Sequence, residues 1–169
     1  MLKTLFLVRH AKAQQDSIDH KDFSRELADR GIRDASLVGS YLKKQGITID
    51  MIISSPAARA FATAELMANQ LGYNIDNIHR NEELYLASVR TFLQVINQLK
   101  DDWNNVLLTS HNPAITYLAE YISNAEIGNM PTASVAILDF KIKHWQEISQ
   151  NTGALKTFIS PRMIKDNIL

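Results

Sequence analysis

The sequence contains no cysteine. Disulfide bonds, thiolate metal sites and a cysteine nucleophile are therefore excluded, and the composition fits a reducing cytoplasm. Net charge is missing too: 18 Lys and Arg balance 18 Asp and Glu. No overall field draws the chain to nucleic acid or to an anionic membrane, so any anion site has to be a local cluster. No run approaches the roughly 18 consecutive apolar residues of a membrane helix. The opening MLKTLFLVRHAK has an apolar core too short for a signal peptide and no small-residue cleavage site. No repeat, low-complexity tract or linker divides the chain. What remains is an ordinary globular balance, with 46 % hydrophobic and 21 % charged residues in 169. It is enough for a real core, and the expectation is a single cytoplasmic domain over residues 1–169, monomeric in view of its size and balanced charge.

Apolar periodicity supplies the elements. Residues 4–8 (TLFLV) read as a first strand. Residues 26–45 follow with helical spacing, Leu27, Ile32, Ala35, Leu37, Val38, Tyr41 and Leu42 falling mostly on one face, and Gly46 stands where a C-cap belongs. Residues 50–53 are a short strand that stops at Ser54-Ser55-Pro56, with Ser55 as N-cap and Pro56 in the first turn of a helix over 57–71. A weak strand at 75–79, a helix at 88–100, a strand at 105–109 and a helix from Pro113 to about Ile122 come next. Residues 134–140 and 143–149 read as two strands joined by a tight turn, and 155–159 as a last strand or edge segment. Strands alternating with helices predict an α/β fold: a three-layer αβα sandwich around a mostly parallel sheet with an antiparallel edge.

In such a sheet, ligands sit at the carboxyl ends of the strands. Three of those ends carry unusual residues: Arg9-His10, then Ser54-Ser55-Pro56 with Arg59, then Ser110-His111-Asn112. Parallel strands bring them to one rim, with two arginines, two imidazoles, two fresh helix N-termini and no carboxylate adjoining them in sequence. Arginine forks match phosphate oxygens, and helix N-termini offer free N–H groups. A cationic cluster of this kind is sensible when a multiply charged anion fills it. One histidine would attack phosphorus as a neutral nucleophile, while the other stabilises the transferring group.

At these residues the chain resembles the histidine phosphatase (phosphoglycerate mutase-like) superfamily. LVRHAKA is similar to its RHG signature, SSPAARAFATAE to its SSPxxRAxQTA segment, and VLLTSHNPAI to its second histidine motif. The small size, the RHAK form and the SREL..RG stretch resemble the SixA-type phosphohistidine phosphatase branch, and the likeness runs from residue 3 to about 159. The resemblance implies a phosphoglycerate mutase-like fold and a metal-independent phosphatase with no cofactor. His10 would become transiently phosphorylated, Arg9 and Arg59 would clamp the phosphoryl oxygens, and His111 would complete the pocket. The substrate would be phosphohistidine of a signalling or phosphotransfer protein. A small-molecule phosphomonoesterase or mutase is the enzymatic alternative, and a non-catalytic phosphate-binding module the alternative of another class.

Two features depart from the family pattern. Ala11 stands where glycine is usual, and the region HRNEELYLAS lacks the long insertion from which larger members draw a carboxylate general acid. Glu83 or Glu82 would supply that acid, or else be a solvated loop charge. A phosphoramidate leaving group is itself basic, so a missing acid fits phosphohistidine better than an alcohol ester. Arg25 either adds a cation at the pocket mouth or is a solvated charge, and Asn112 either donates to the ligand or caps the helix after it. A zinc site on His10 and His111 lacks a third ligand and would face two arginines, so no metal is expected. His20, His79 and His144 read as surface residues, and Trp103 and Trp145 as packing or edge residues.

Overall fold

The computed structural model describes residues 2–15 and 21–169. Along the chain run β1 (Lys3–Arg9), α1 (Asp29–Lys44), β2 (Met51–Ser54), α2 (Ala58–Leu71), β3 (His79–Arg80) and α3 (Val89–Ile96). Then come β4 (Asn105–Ser110), α4 (Ala114–Ser123), β5 (Val135–Phe140), β6 (Ala154–Ile159) and α5 (Pro161–Lys165). The six strands form one sheet in the order β3-β2-β4-β1-β5-β6. The first four in that order are mutually parallel, β5 runs antiparallel to β1, and β6 runs antiparallel to β5.

The alternation of side chains along β1 builds both covering layers. Leu5 and Leu7 enter a cluster with Phe92 and Ile96 of α3 and Ile115 and Leu118 of α4. Phe6 and Val8 point the other way, against Val38 and Leu42 of α1 and Ala64 and Met67 of α2. All four β1 side chains are at most 3 % exposed. Burial on that scale stabilises by about 1.5–3 kcal/mol per side chain, which is why a continuous apolar run makes a central strand. Among the described residues, no helix is long and apolar enough to cross a membrane.

Register decides where the strands stop. Arg9 of β1 lies opposite Ser110 of β4, and Ser54 of β2 lies opposite Thr109. The three strands therefore end at one level, and the residues that follow them share one rim.

Several elements differ from the sequence expectation. Residues 143–149 are not a strand; they hold a 3-10 turn at Trp145–Glu147, and β6 takes the place beside β5. Trp145 is fully buried and its indole N–H donates to the Trp103 carbonyl at 2.8 Å. Asp101 accepts from the Trp145 backbone N–H at 2.9 Å, so the tryptophan anchors a turn where alternation suggested an edge. Helix α1 starts at Asp29, because Leu27 is still extended and bridged to Ala13. Its buried face runs through Gly31, Ala35, Val38, Gly39 and Leu42, and Ile32 is 43 % exposed. Helix α2 starts at Ala58 with Ala57 as N-cap; Ser55 Oγ accepts from the Ala57 N–H at 3.4 Å and lies 2.7 Å from His111 Nε2. Helix α5 adds to the expected elements: Ser160 caps it by accepting from the Met163 N–H and Pro161 opens it.

Gly31 shows how tightly the first loop packs on α1. A Cβ there would overlap the Lys12 carbonyl oxygen, which accepts the Ala28 N–H at 2.9 Å. Gly31→Ala improves helix propensity by about 1 kcal/mol. Overpacking against backbone costs about 1–3 kcal/mol. The expected outcome is a lower melting temperature in thermal denaturation, against the direction that propensity alone gives.

Candidate active site

The His10 N–H donates to the Ser110 carbonyl at 3.0 Å, and the Ser55 N–H donates to the Thr109 carbonyl at 3.0 Å. The sheet ladder thus extends past the strands and fixes the backbone of the rim. His10 Nδ1 lies 2.8 Å from the Ala11 carbonyl. A carbonyl only accepts, so Nδ1 carries the proton and Nε2 keeps its lone pair. Arg59 Nε donates to that Nε2 at 3.3 Å, from the first turn of α2. The His111 ring sits 5.2 Å from the His10 ring, centroid to centroid, and its Nε2 is 2.7 Å from Ser55 Oγ.

Burial, with help from Arg59 and Arg9, pushes His10 down to about 4 in spite of the Ala11 carbonyl, which favours the charged form. Burial likewise pushes His111 down to about 3, aided by His10 and Arg59. Both imidazoles are therefore neutral near pH 7. Arg9 donates through Nη1 to the Met130 carbonyl at 2.7 Å. Its Nε and His111 Nδ1 are buried without a hydrogen-bond partner among the described residues.

The rim is not purely cationic. Asp22, on a 3-10 turn at Asp22–Ser24, folds over it. Arg59 donates to the Asp22 carbonyl at 2.7 Å and to Asp22 Oδ2 at 3.1 Å. Tyr85 donates to the same Oδ2 at 2.8 Å, and Arg25 reaches Oδ1 through Nε and Nη2 at 3.2 and 2.9 Å. Partial burial alone would raise this carboxyl; the bonds from Tyr85, Arg25 and Arg59 outweigh it and hold Asp22 at about 2. Among the described residues, no three His, Asp or Glu side chains gather as a metal set.

This arrangement has relatives. Residues 5–89 match the model of the histidine phosphatase superfamily, branch 1. An uncharacterized protein of Mycobacterium tuberculosis is 32 % identical over 167 residues, covering 92 % of this chain and all of the relative. The chain belongs to the histidine phosphatase superfamily. It is a phosphatase of that family. The phosphohistidine phosphatase SixA of Escherichia coli is 27 % identical over 138 residues, 77 % of this chain and 80 % of the relative. A chain from Agrobacterium tumefaciens assigned to the SixA phosphohistidine phosphatases superposes with a TM-score of 0.81 at 25 % identity, covering 94 % and 98 % of the two chains. A SixA structure in complex with tungstate gives 0.80 at 24 % identity, covering 94 % and 97 %.

In this phosphatase the structure brings His10, His111 and Arg59 together, with Arg9 near enough to depress His10. Arg25 joins them at the mouth through Asp22 and donates through Nη1 to the Gln14 carbonyl at 3.2 Å. Asn112 does not cap α4, whose N-cap is Pro113. Its amide instead donates to Asn129 Oδ1 and to the Met130 carbonyl, the acceptor that Arg9 also uses, and its oxygen accepts from Thr116. Glu82 and Glu83 are exposed on a 3-10 turn at Glu82–Leu84. His79 is exposed; His144 is exposed and pairs with Asp101; His20 lies outside the described residues.

Sequence reasoning missed Asp22, Tyr85 and the role of Ser55. The absence of a nearby carboxylate held only along the chain, because Asp22 arrives from a separate turn. Its spacing of three from Arg25 was the available signal, since residues so placed share a face of a helical turn. Tyr85 carried no comparable mark.

Neutral imidazoles set the acid response. Unfolded histidine protonates near 6.5, whereas folded His10 does so at about 4 and His111 at about 3. As pH falls through this window the unfolded chain binds protons that the folded one does not, so stability declines with acidification. Phosphatase activity is expected to stay flat down to about pH 5 and to fall near 4, with no break at 6.5 from the enzyme's own histidines.

Proposed function

We propose that this phosphatase removes the phosphoryl group from phosphohistidine on a protein, without a metal, through a covalent intermediate on His10. The observation that carries the reading is the state of His10: neutral, its Nδ1 proton committed to the Ala11 carbonyl, its unprotonated Nε2 turned into the arginine cluster, where it accepts from Arg59 Nε at 3.3 Å. Nε2 attacks phosphorus, and the N–P bond of a substrate imidazole already protonated at its distal nitrogen breaks with its electrons passing to the departing nitrogen, so the imidazole leaves neutral. Arg9 and Arg59 hold the phosphoryl oxygens, and His111 Nδ1, buried without a partner, offers a further contact when Ser55 donates to its Nε2. Water then attacks phosphorus, the bond to Nε2 breaks, and inorganic phosphate and neutral His10 are released.

Phosphohistidine is favoured over an alcohol ester by the lack of a ready proton donor among the described residues. Asp22, the carboxylate at the rim, stays ionised at about 2, and Glu83 lies exposed on its turn. An alkoxide leaving group needs an acid at this point; an imidazole does not. The SixA relative from Escherichia coli, a phosphohistidine phosphatase, supports the same substrate class. We place the enzyme in the cytoplasm as a monomer acting on a phosphotransfer or signalling protein.

His10→Ala is expected to reduce turnover of a phosphohistidine peptide by on the order of 10,000-fold or more, as loss of a nucleophile does. Circular dichroism should stay native, acid-labile phosphoenzyme should vanish, and a chelator should leave the unaltered enzyme at full rate. Near-normal activity of His10→Ala would overturn the mechanism. Sugar phosphates turned over faster than phosphohistidine would overturn the substrate class.

A further inference from the structure

Beside His111 the rim opens into a second groove of about 420 Å³, walled by Val89 and Phe92 of α3, Ala114 and Tyr117 of α4, and Leu86 between β3 and α3. Its chemistry differs from the rest of the rim: among the described residues, no Asp, Glu, Lys or Arg lines it. Ser110, His111 and Asn112 line it too, so it is continuous with the catalytic cleft. Leu86 is 82 % exposed and Tyr117 56 % exposed, two large side chains left in water at the groove edge.

Leu86 is also held at φ 56°, in the left-handed region that a residue with a Cβ enters at a cost. Its neighbours enforce this. Leu84 is buried in the core and its carbonyl accepts from Ser110 Oγ at 2.9 Å. Tyr85 is tied to Asp22 at 2.8 Å, and Ser88 caps α3 by accepting from the Thr91 N–H at 3.2 Å. A turn that needed only this geometry is met at lower cost by glycine or asparagine. Strain and solvent exposure at one leucine, beside a catalytic histidine, mark a side chain kept for contact with something else.

We propose that this groove is a leaving-group subsite that takes an aliphatic or aromatic side chain flanking the phosphorylated histidine of a protein substrate. The proposal rests on the phosphohistidine reading given above. An uncharged groove offers no ion pair to a sugar acid or a nucleotide, whereas its volume suits one or two apolar side chains entering from solvent. Leu86 and Tyr117 would then be specificity residues, and Arg9, Arg59 and the histidines would remain indifferent to the flanking sequence.

The test compares kcat/KM for two phosphohistidine peptides that differ only in leucine or serine beside the phosphorylated residue, and for 1-naphthyl phosphate against glycerol phosphate. The unaltered enzyme is expected to prefer the apolar member of each pair by roughly tenfold, mainly through KM. Leu86→Asn, which keeps a residue tolerant of the left-handed backbone, should bring both ratios close to one, as should Tyr117→Ser. Leu86→Met should retain the preference. Ratios near one in the unaltered enzyme, or a preference that survives Leu86→Asn and Tyr117→Ser, would overturn the subsite. A dimer that dissociates on Leu86→Asn in sedimentation would also overturn it, by showing that a second copy covers the groove. If neither peptide is cleaved while both esters are, the phosphohistidine reading fails and the ester pair alone decides the subsite.

Discussion

The parallel register of β1, β4 and β2 is the constraint on which the site depends. Arg9 opposite Ser110 and Ser54 opposite Thr109 bring three strand ends to one level. Two further backbone bonds, from His10 to Ser110 and from Ser55 to Thr109, carry that order one residue beyond the sheet. A slip of one residue would exchange Leu5 and Leu7 with Phe6 and Val8 between the two cores and turn His10 to the wrong face. The apolar packing that favours one register therefore also selects the geometry of the rim.

Charge around His10 is balanced by competing effects of different size. The Ala11 carbonyl favours an imidazolium, the arginines oppose it, and burial decides the outcome in favour of the neutral ring. Asp22 relieves the crowding of guanidinium groups, but its side chain remains 42 % exposed. Ion pairs this open to water contribute at most about 1 kcal/mol. Asp22 thus orients Arg59 and Arg25 without binding them so firmly that the phosphoryl group of the proposed mechanism could not compete for the same donors.

Much of this was legible in the chain. Burial on both faces makes β1 a continuous apolar run, and strand ends marked by Arg-His, Ser-Ser-Pro and Ser-His-Asn announce a rim. Local patterns failed where long-range contacts override them. Residues 143–149 alternate like a strand, yet one buried tryptophan and the Asp101 carboxylate fold them into a turn. Ser55 looks like a helix cap, and its hydroxyl does accept from the Ala57 N–H, but its shorter contact is to His111, which is 56 positions away. Asp22 and Tyr85 belong to separate turns that meet only in three dimensions, and nothing in either turn names the other.

The two side-chain layers built on β1 have a consequence for cooperativity. Arg59 comes from the layer packed on Phe6 and Val8, whereas His111 leads into α4 of the layer packed on Leu5 and Leu7. The cleft is a seam between two cores, and the His10–His111 spacing of 5.2 Å reports how they are clamped together. Loosening of either layer would move Arg59 or His111 relative to His10. If Arg59 and His111 act as proposed, catalytic competence belongs to the sandwich as a whole, and local unfolding on either side of the sheet would switch it off.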